Sequence, residues 1–429
     1  MIRHAPIPVY FAFRIASALI LLKLSAQFLP VQSFALFAQF LAFASLLNMA
    51  VIGGAQNGLI RQAAAASNGE ELAEVHGAAL AIWLVAVPLL GLPIALLSRA
   101  ISHVLTGSTG YWQVVIGLAA LSFAAGPGQI CWSLLSGRQK IAQSLGAQTI
   151  GLVVGTAASA WFVVRGNFVG AALAFAAGPL VATIAALPFV ARLPLRWRPT
   201  TRGVGPLLGY SAAMASTLGF TAITLFALRW VYREHFGATQ LGYWLAASRI
   251  SDMSTQLLGL FMLQAFVPQL ARSIDNHERR RVILRYGAAA TCLTGLALLV
   301  FLTAGRPLVH LFLSDAYLPA IPGIRLYMIG DCLRVWASLV MFTAFAAGRP
   351  GRYAAIEIGT VAVMAALTLL LTESGHLWAP QIAYAAAYGL TALILATGVL
   401  LRSDPPLPAL SRLRGGRRTP LPGSAPRPR

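Results

Sequence analysis

Twelve apolar segments, most of them twenty residues or longer and joined by short polar connections, take up nearly the whole chain. They run over 9–29, 34–57, 77–98, 111–135, 144–164, 168–190, 207–231, 241–267, 284–303, 319–347, 353–372 and 377–401. Away from water such a segment satisfies its backbone only as a helix or in a closed barrel, and ~20 helical residues match the ~30 Å hydrocarbon core of a bilayer. With 58% hydrophobic residues, 10% charged residues and a mean hydropathy of +0.74, the chain is too apolar to fold in water. The expected fold class is all-α, a polytopic membrane protein of about 12 transmembrane helices. The connections hold no soluble domain, the longest on the expected outer side being about 304–318.

The basic residues set the orientation. With a cytoplasmic N-terminus, the cytoplasmic side carries Arg3, Arg61, Arg138, Lys140, Arg192, Arg196, Arg198, Arg202, Arg272, Arg279, Arg280, Arg281, Arg285, Arg349 and Arg352, with seven more arginines in the tail. The other side has only Arg99, Arg165, Arg233 and Arg306. That asymmetry of 22 to 4 follows the positive-inside rule and puts both termini in the cytoplasm. The net charge of +20 is therefore topological. It is not gathered on a soluble face with interleaved aromatics, which argues against a nucleic-acid partner. Arg3 ahead of an apolar run resembles a signal peptide, but Arg14 and Lys23 interrupt the run, and the expectation is an uncleaved first span.

The chain also repeats itself. Gly137-Arg138 and Gly348-Arg349, Arg61 and Arg272, and Gly178 and Gly389 are each separated by 211 positions. An offset of six spans makes the repeat parallel, two bundles related by an axis along the membrane normal. The expected organisation is an N-terminal six-helix bundle over 1–190, a cytoplasmic linker over 191–206 and a C-terminal six-helix bundle over 207–401. A disordered basic tail over 402–429 follows, available to anionic membrane lipids.

Ionisable residues inside the spans carry the functional signal, because each is costly there. Arg14, Lys23, Arg249, Arg325 and Arg334 stand against Asp252 and Asp331, an interior that favours anions. Arg14 lies six residues past Pro8, about 9 Å along a helix, within partial reach of the cytoplasmic headgroups. Nine residues at ~100° each put Lys23 about half a turn away from Arg14, so a straight helix aims only one of them at a central axis. Arg249 with Asp252, and Asp331 with Arg334, are three apart and share a helix face within salt-bridge reach. Each pair is either a clamp between helices or a substrate or proton site. Gln39, Asn48, Gln56 and Asn57 suit a hydrated cavity or cross-helix contacts. Arg229 and Glu357 fall near span ends, as interfacial anchors. Gly126-Pro127-Gly128 and Gly178-Pro179 interrupt helical hydrogen bonding, as kinks or hinges.

No catalytic constellation emerges, and the expectation is a non-enzyme without a cofactor. His310 and Asp315 do not make a metal site, the other histidines are scattered, and no nucleophile elbow, phosphate-binding loop or zinc pattern occurs. Cys131, Cys292 and Cys332 lie in apolar runs as small core residues.

The stretch Phe236-Gly-Ala-Thr-Gln-Leu-Gly-Tyr-Trp-Leu-Ala-Ala-Ser-Arg-Ile and its exit Phe266-Val-Pro-Gln-Leu-Ala-Arg272 resemble the polysaccharide flippases that carry O-antigen and related repeat units. So do Pro307-Leu-Val-His-Leu-Phe-Leu-Ser-Asp-Ala-Tyr317 and Gly137-Arg-Gln-Lys140. Their superfamily is the multidrug/oligosaccharidyl-lipid/polysaccharide exporters, and the resemblance covers the whole topology. It implies translocation of an undecaprenyl-pyrophosphate-linked oligosaccharide across a bacterial inner membrane by alternating access. The lipid-linked oligosaccharide would be the partner, beside other membrane proteins of polysaccharide assembly. The resemblance implies that Arg14 and Arg249 meet the pyrophosphate. Lys23, Arg334, Gln56 and Asn57 are further substrate-binding candidates, and Asp252 and Asp331 are candidates for ion coupling or gating. A multidrug or small-solute antiporter is the alternative within the superfamily; a lipid II flippase fits less well, since that branch has fourteen spans.

Overall fold

The computed structural model describes residues 6–401 except 53–54, 194, 196–197, 263–265, 267–268, 271–275 and 347–349. Arg272 and the Gly348-Arg349 pair used for the repeat, and the 402–429 tail, lie outside the described residues. The described residues form the helices α1 (Pro6–Phe28), α2 (Val31–Ala50), α3 (Gln56–Ala65), α4 (Gly69–Leu96), α5 (Ser98–Thr106), α6 (Trp112–Ala124), α7 (Gly126–Gly137), α8 (Ile141–Val164), α9 (Phe168–Val190), α10 (Val204–Phe261), α11 (Asn276–Phe312), α12 (Ile321–Ala346), α13 (Pro350–Glu373) and α14 (Ala379–Leu401), joined by short turns and irregular connections. Among the described residues, nine helical stretches are long and apolar enough to cross a bilayer. The 58-residue α10 is non-helical at Gly237 (φ 83°, ψ 169°), where its two legs take up the segment expected at 207–231 and, as far as Phe261, the one expected at 241–267. A positive φ is inexpensive only for glycine, which is why the turn falls there. α14 covers the last apolar segment.

Local chemistry fixes the boundaries. Asn68 caps α4 by accepting the Glu71 N–H at 2.9 Å, and the Glu71 carboxylate returns to the Ser67 N–H at 2.7 Å, so two orphan donors are satisfied at once. The segment expected at 34–57 instead divides, α2 ending at Ala50 and Gln56 and Asn57 opening α3. At Gly126-Pro127-Gly128 the span breaks into α6 and α7. Pro127 has no N–H for the Phe123 carbonyl, and the Trp83 indole of α4 donates to that carbonyl at 3.0 Å instead. A Cβ on Gly126 would stand 2.4 Å from Trp83, and one on Gly128 1.8 Å from Thr183 Oγ1, so these glycines are close-packing positions.

The helices before residue 191 pack chiefly on one another, and so do those after 203. In the first group α8 and α9 meet through small residues. A Cβ on Gly151 would lie 2.4 Å from the Gly178 carbonyl oxygen and 2.6 Å from Ala182, the kind of backbone approach that drives helix association in lipid.

The two groups touch most closely at the end of the molecule that carries the connections around residues 30, 97–111, 237, 313–320 and 375. There Lys23 of α1 donates to the His310 and Leu313 carbonyls at 2.6 and 2.8 Å, at the C-terminal end of α11. Arg233 of α10 donates to the His103 and Val104 carbonyls at 3.1 and 3.2 Å, in the last turn of α5. Each group thus lends a cation to the negative end of a helix in the other. The pairs Lys23 and Arg233, and His103 and Leu313, are offset within one residue of the spacing that relates Gly137 to Gly348, so the contact obeys the internal repeat. Ser314 Oγ donates to the Ala26 carbonyl at 2.7 Å beside the first of these bonds.

Two measurements check this packing. Gly151→Leu should cost on the order of 1–3 kcal/mol through overpacking. Thermal unfolding in detergent should show the loss, and Gly146→Leu on the same helix, where a Cβ meets open space, should not. Cations at helix C-termini contribute ~0.3–2 kcal/mol each. Lys23→Met combined with Arg233→Met should therefore raise the population separated at this end by on the order of tenfold, read as spin-label distances across it. Each single change should do less.

Candidate functional site

Between the two groups lies a cavity of about 210 Å³. α1 contributes Arg14, Ser17 and Ser25, α2 contributes Phe34, Phe37 and Ser45, and the second leg of α10 contributes Arg249, Asp252 and Met253. Arg14 and Arg249, far apart in sequence, thus face one space from opposite halves. Among the described residues neither guanidinium has a hydrogen-bonded or ion-paired partner. Asp252 lines the same cavity one turn from Arg249 without an ion pair to it. Two unpaired planar cations with hydroxyls and aromatic walls suit a ligand with an anionic head and an apolar remainder, since the guanidinium fork matches phosphate or carboxylate oxygens.

The other expected residues go elsewhere. Lys23 sits on the α11 carbonyls at the closed end rather than in the cavity. Gln56 is exposed at the start of α3, with Asn57 next in the same helix. Arg334 donates to the Tyr384 hydroxyl at 3.2 Å and lies 4.9 Å from the Tyr388 ring centroid. Asp331, 2% exposed, accepts from Tyr384 and from Ser251, both at 2.8 Å. The Tyr384 phenol therefore links Asp331 to Arg334 and ties α10, α12 and α14 together.

Arg229 is the residue that reading by sequence missed. Its Nη1 donates to Gln39 Oε1 at 3.3 Å, its Nε is buried without a partner, and it lies within electrostatic range of Arg249, Asp252 and Tyr327. Placing it at a span end rested on stopping the seventh span at 231. The chain has no helix breaker before Gly237, so the first leg of α10 carries Arg229 about two turns inside its end. Tyr327 accepts the Trp244 indole N–H at 2.6 Å and stacks edge-on against Tyr384 at 5.0 Å, joining Arg229's surroundings to the Asp331 network. Among the described residues no group of three or more metal-ligating side chains occurs.

Removing the Tyr384 hydroxyl takes a hydrogen bond from a buried carboxylate and another from a guanidinium, at about 1–3 kcal/mol. Tyr384→Phe should lower the thermal midpoint of the purified protein accordingly. Tyr388→Phe should be close to neutral, because the ring that faces Arg334 remains.

Comparison with known proteins agrees with this architecture. The profile of a family described as polysaccharide biosynthesis protein matches residues 24–322. A search of curated proteins gives no match. Among solved structures, an inward-facing multidrug resistance MATE family transporter of the MOP superfamily is 15% identical, with a TM-score of 0.75 over 93% of this chain and 97% of that one. The lipid II flippase MurJ in an inward closed conformation is 11% identical, with a TM-score of 0.71 over 93% and 87%. An outward-facing MATE family transporter is 14% identical, with a TM-score of 0.57 over 94% of each chain. The fold is thus the one these structures share, in a multi-pass membrane protein. The chain belongs to the polysaccharide biosynthesis protein family.

Proposed function

We propose that this protein is a flippase that moves an undecaprenyl-pyrophosphate-linked oligosaccharide from the cytoplasmic to the outer leaflet of a bacterial inner membrane. The observation that carries the proposal is the pair of unpaired guanidinium groups, Arg14 and Arg249, contributed by opposite halves to one cavity. An intramembrane cation without a partner is expensive, and a pyrophosphate would supply two anionic groups to meet it. The family's role in polysaccharide biosynthesis supports a lipid-linked saccharide over a cationic drug.

The arginine-poor end expected outside is the end locked by Lys23 and Arg233. With that end closed, the cavity faces the cytoplasm, where such a substrate would load. The better superposition on inward-facing than on outward-facing relatives supports the same state. Asp252, one turn from Arg249, is the acid positioned to neutralise that arginine once the ligand leaves. With the cytoplasm negative, outward movement of an anion is favoured by ~2.3 kcal/mol per charge per 100 mV, provided the cations stay behind.

The test is Arg249→Ala and Arg14→Ala, with lipid-linked intermediates measured in each leaflet and expression matched. The expected result is retention in the cytoplasmic leaflet, with flipping lowered by at least about tenfold, the scale of one lost charged contact. Arg249→Lys, which keeps the charge but not the fork, should fall between. Wild-type accumulation in the outer leaflet by both alanine variants would sink the proposal.

A further inference from the structure

A second cavity, of about 180 Å³, opens beside the first, within the first group of helices. The two share Ser45, Leu152 and Phe175 as lining residues, so they adjoin. Their chemistry differs. The first holds Arg14, Arg249 and Asp252; the second is lined by Tyr10, Asn48, Trp132 and Gln148 with small residues of α8 and α9, and contains no ionisable acid or base apart from the tyrosine. Its amides are held by bonds of 3.2–3.5 Å, with Gln148 Nε2 also donating to Ser144 Oγ at 3.2 Å. Tyr10 OH donates to Gln148 Oε1 at 3.5 Å, Gln148 Nε2 donates to the Ser144 carbonyl at 3.3 Å, and Gln129 Nε2 donates to Asn48 Oδ1 at 3.3 Å. Bonds at that length are readily exchanged for shorter ones to a ligand. At the junction of the cavities Pro179 has no N–H for the carbonyl of Phe175, which leaves that acceptor without its helical partner.

Amide groups that both donate and accept, beside aromatic rings, match a group that is itself a dense array of hydroxyls. At about 180 Å³ the space is of the size that accepts a single six-membered ring, as a ~150 Å³ cavity accepts benzene. A carboxylate in this cavity would be desolvated with no cation of the lining to answer it. We infer that this cavity is a monosaccharide subsite, holding an uncharged sugar next to the pyrophosphate bound by Arg14 and Arg249. The inference rests on the flippase reading and adds the position and charge class of the sugar that the protein selects.

The experiment measures binding to the full-length protein in nanodiscs of three probes: undecaprenyl pyrophosphate alone, the same lipid carrying one neutral N-acetylhexosamine, and the same lipid carrying one uronic acid. Wild type should bind the neutral glycolipid about tenfold more tightly than the bare lipid, and the uronic acid form no more tightly than the bare lipid. Gln148→Leu and, separately, Asn48→Leu should bring the neutral glycolipid down to the level of the bare lipid. Equal binding of all three probes by wild type overturns the subsite while leaving the flippase reading intact. Binding of none of them overturns the flippase reading itself. Because the wild-type comparison needs no substitution, a variant that fails to fold does not blunt the test. A preference for the neutral sugar that survives both substitutions assigns recognition elsewhere and also overturns the subsite.

Discussion

A guanidinium or ammonium group inside an apolar helical bundle must find an electron-rich neighbour, and that demand organises this molecule. Lys23 finds helix-end carbonyls, and Arg233 finds the same kind of acceptor in the other half. Arg334 finds a phenol and an aromatic face, and Arg229 finds a glutamine. Each solution joins elements distant in sequence, so the buried cations act as cross-links whose positions define the tertiary structure. Against that background Arg14 and Arg249 stand out. Among the described residues both are left without a partner, and both face the same cavity.

The backbone meets a parallel demand. Proline in a membrane helix removes a donor, and the freed carbonyl must be answered by something other than water. At Pro127 the answer is the Trp83 indole, whose bond to Phe123 binds α4 to the α6–α7 break and leaves the glycines on either side of the proline filled by neighbouring side chains. A site that reads in sequence as a hinge is for that reason a rigid joint. Gly178 behaves the same way, its missing side chain admitting the backbone of α8. Relative motion of the halves must therefore be set at the ring of polar bonds that closes one end.

The fold was legible because hydropathy and helix length are local properties: among the described residues each of the twelve apolar segments falls largely on helix, with 34–57 divided after Ala50 and the boundary at 231 set too early, before the glycine that turns the chain. The site was legible in part. Arg14 and Arg249 were singled out by the resemblance, and the structure brings both to one cavity, while the salt bridge that the three-residue spacing allows between Arg249 and Asp252 does not form. Lys23 was harder. Helical phase separates it from Arg14, as expected, but its acceptors are main-chain oxygens, which leave no trace in residue identity. The same blindness hid the Tyr384 link, since three-residue spacing between Asp331 and Arg334 indicates that they can meet directly and not that a phenol from another helix stands between them.

These pieces constrain how opening and binding are coupled on the proposed reading. A ligand shifts a conformational equilibrium only by its difference in affinity for the two states. Arg14 belongs to the half that also carries Lys23, and Arg249 to the half that carries Arg233, so any motion that separates the closed end also changes the relation of the two guanidinium groups. A diphosphate that bridges both arginines therefore favours one arrangement of the halves over the other, and its departure frees Asp252 to take up Arg249. The lock at the closed end is built from four main-chain acceptors and two cations of modest individual strength. That is the scale at which a single bridging anion can tip the balance.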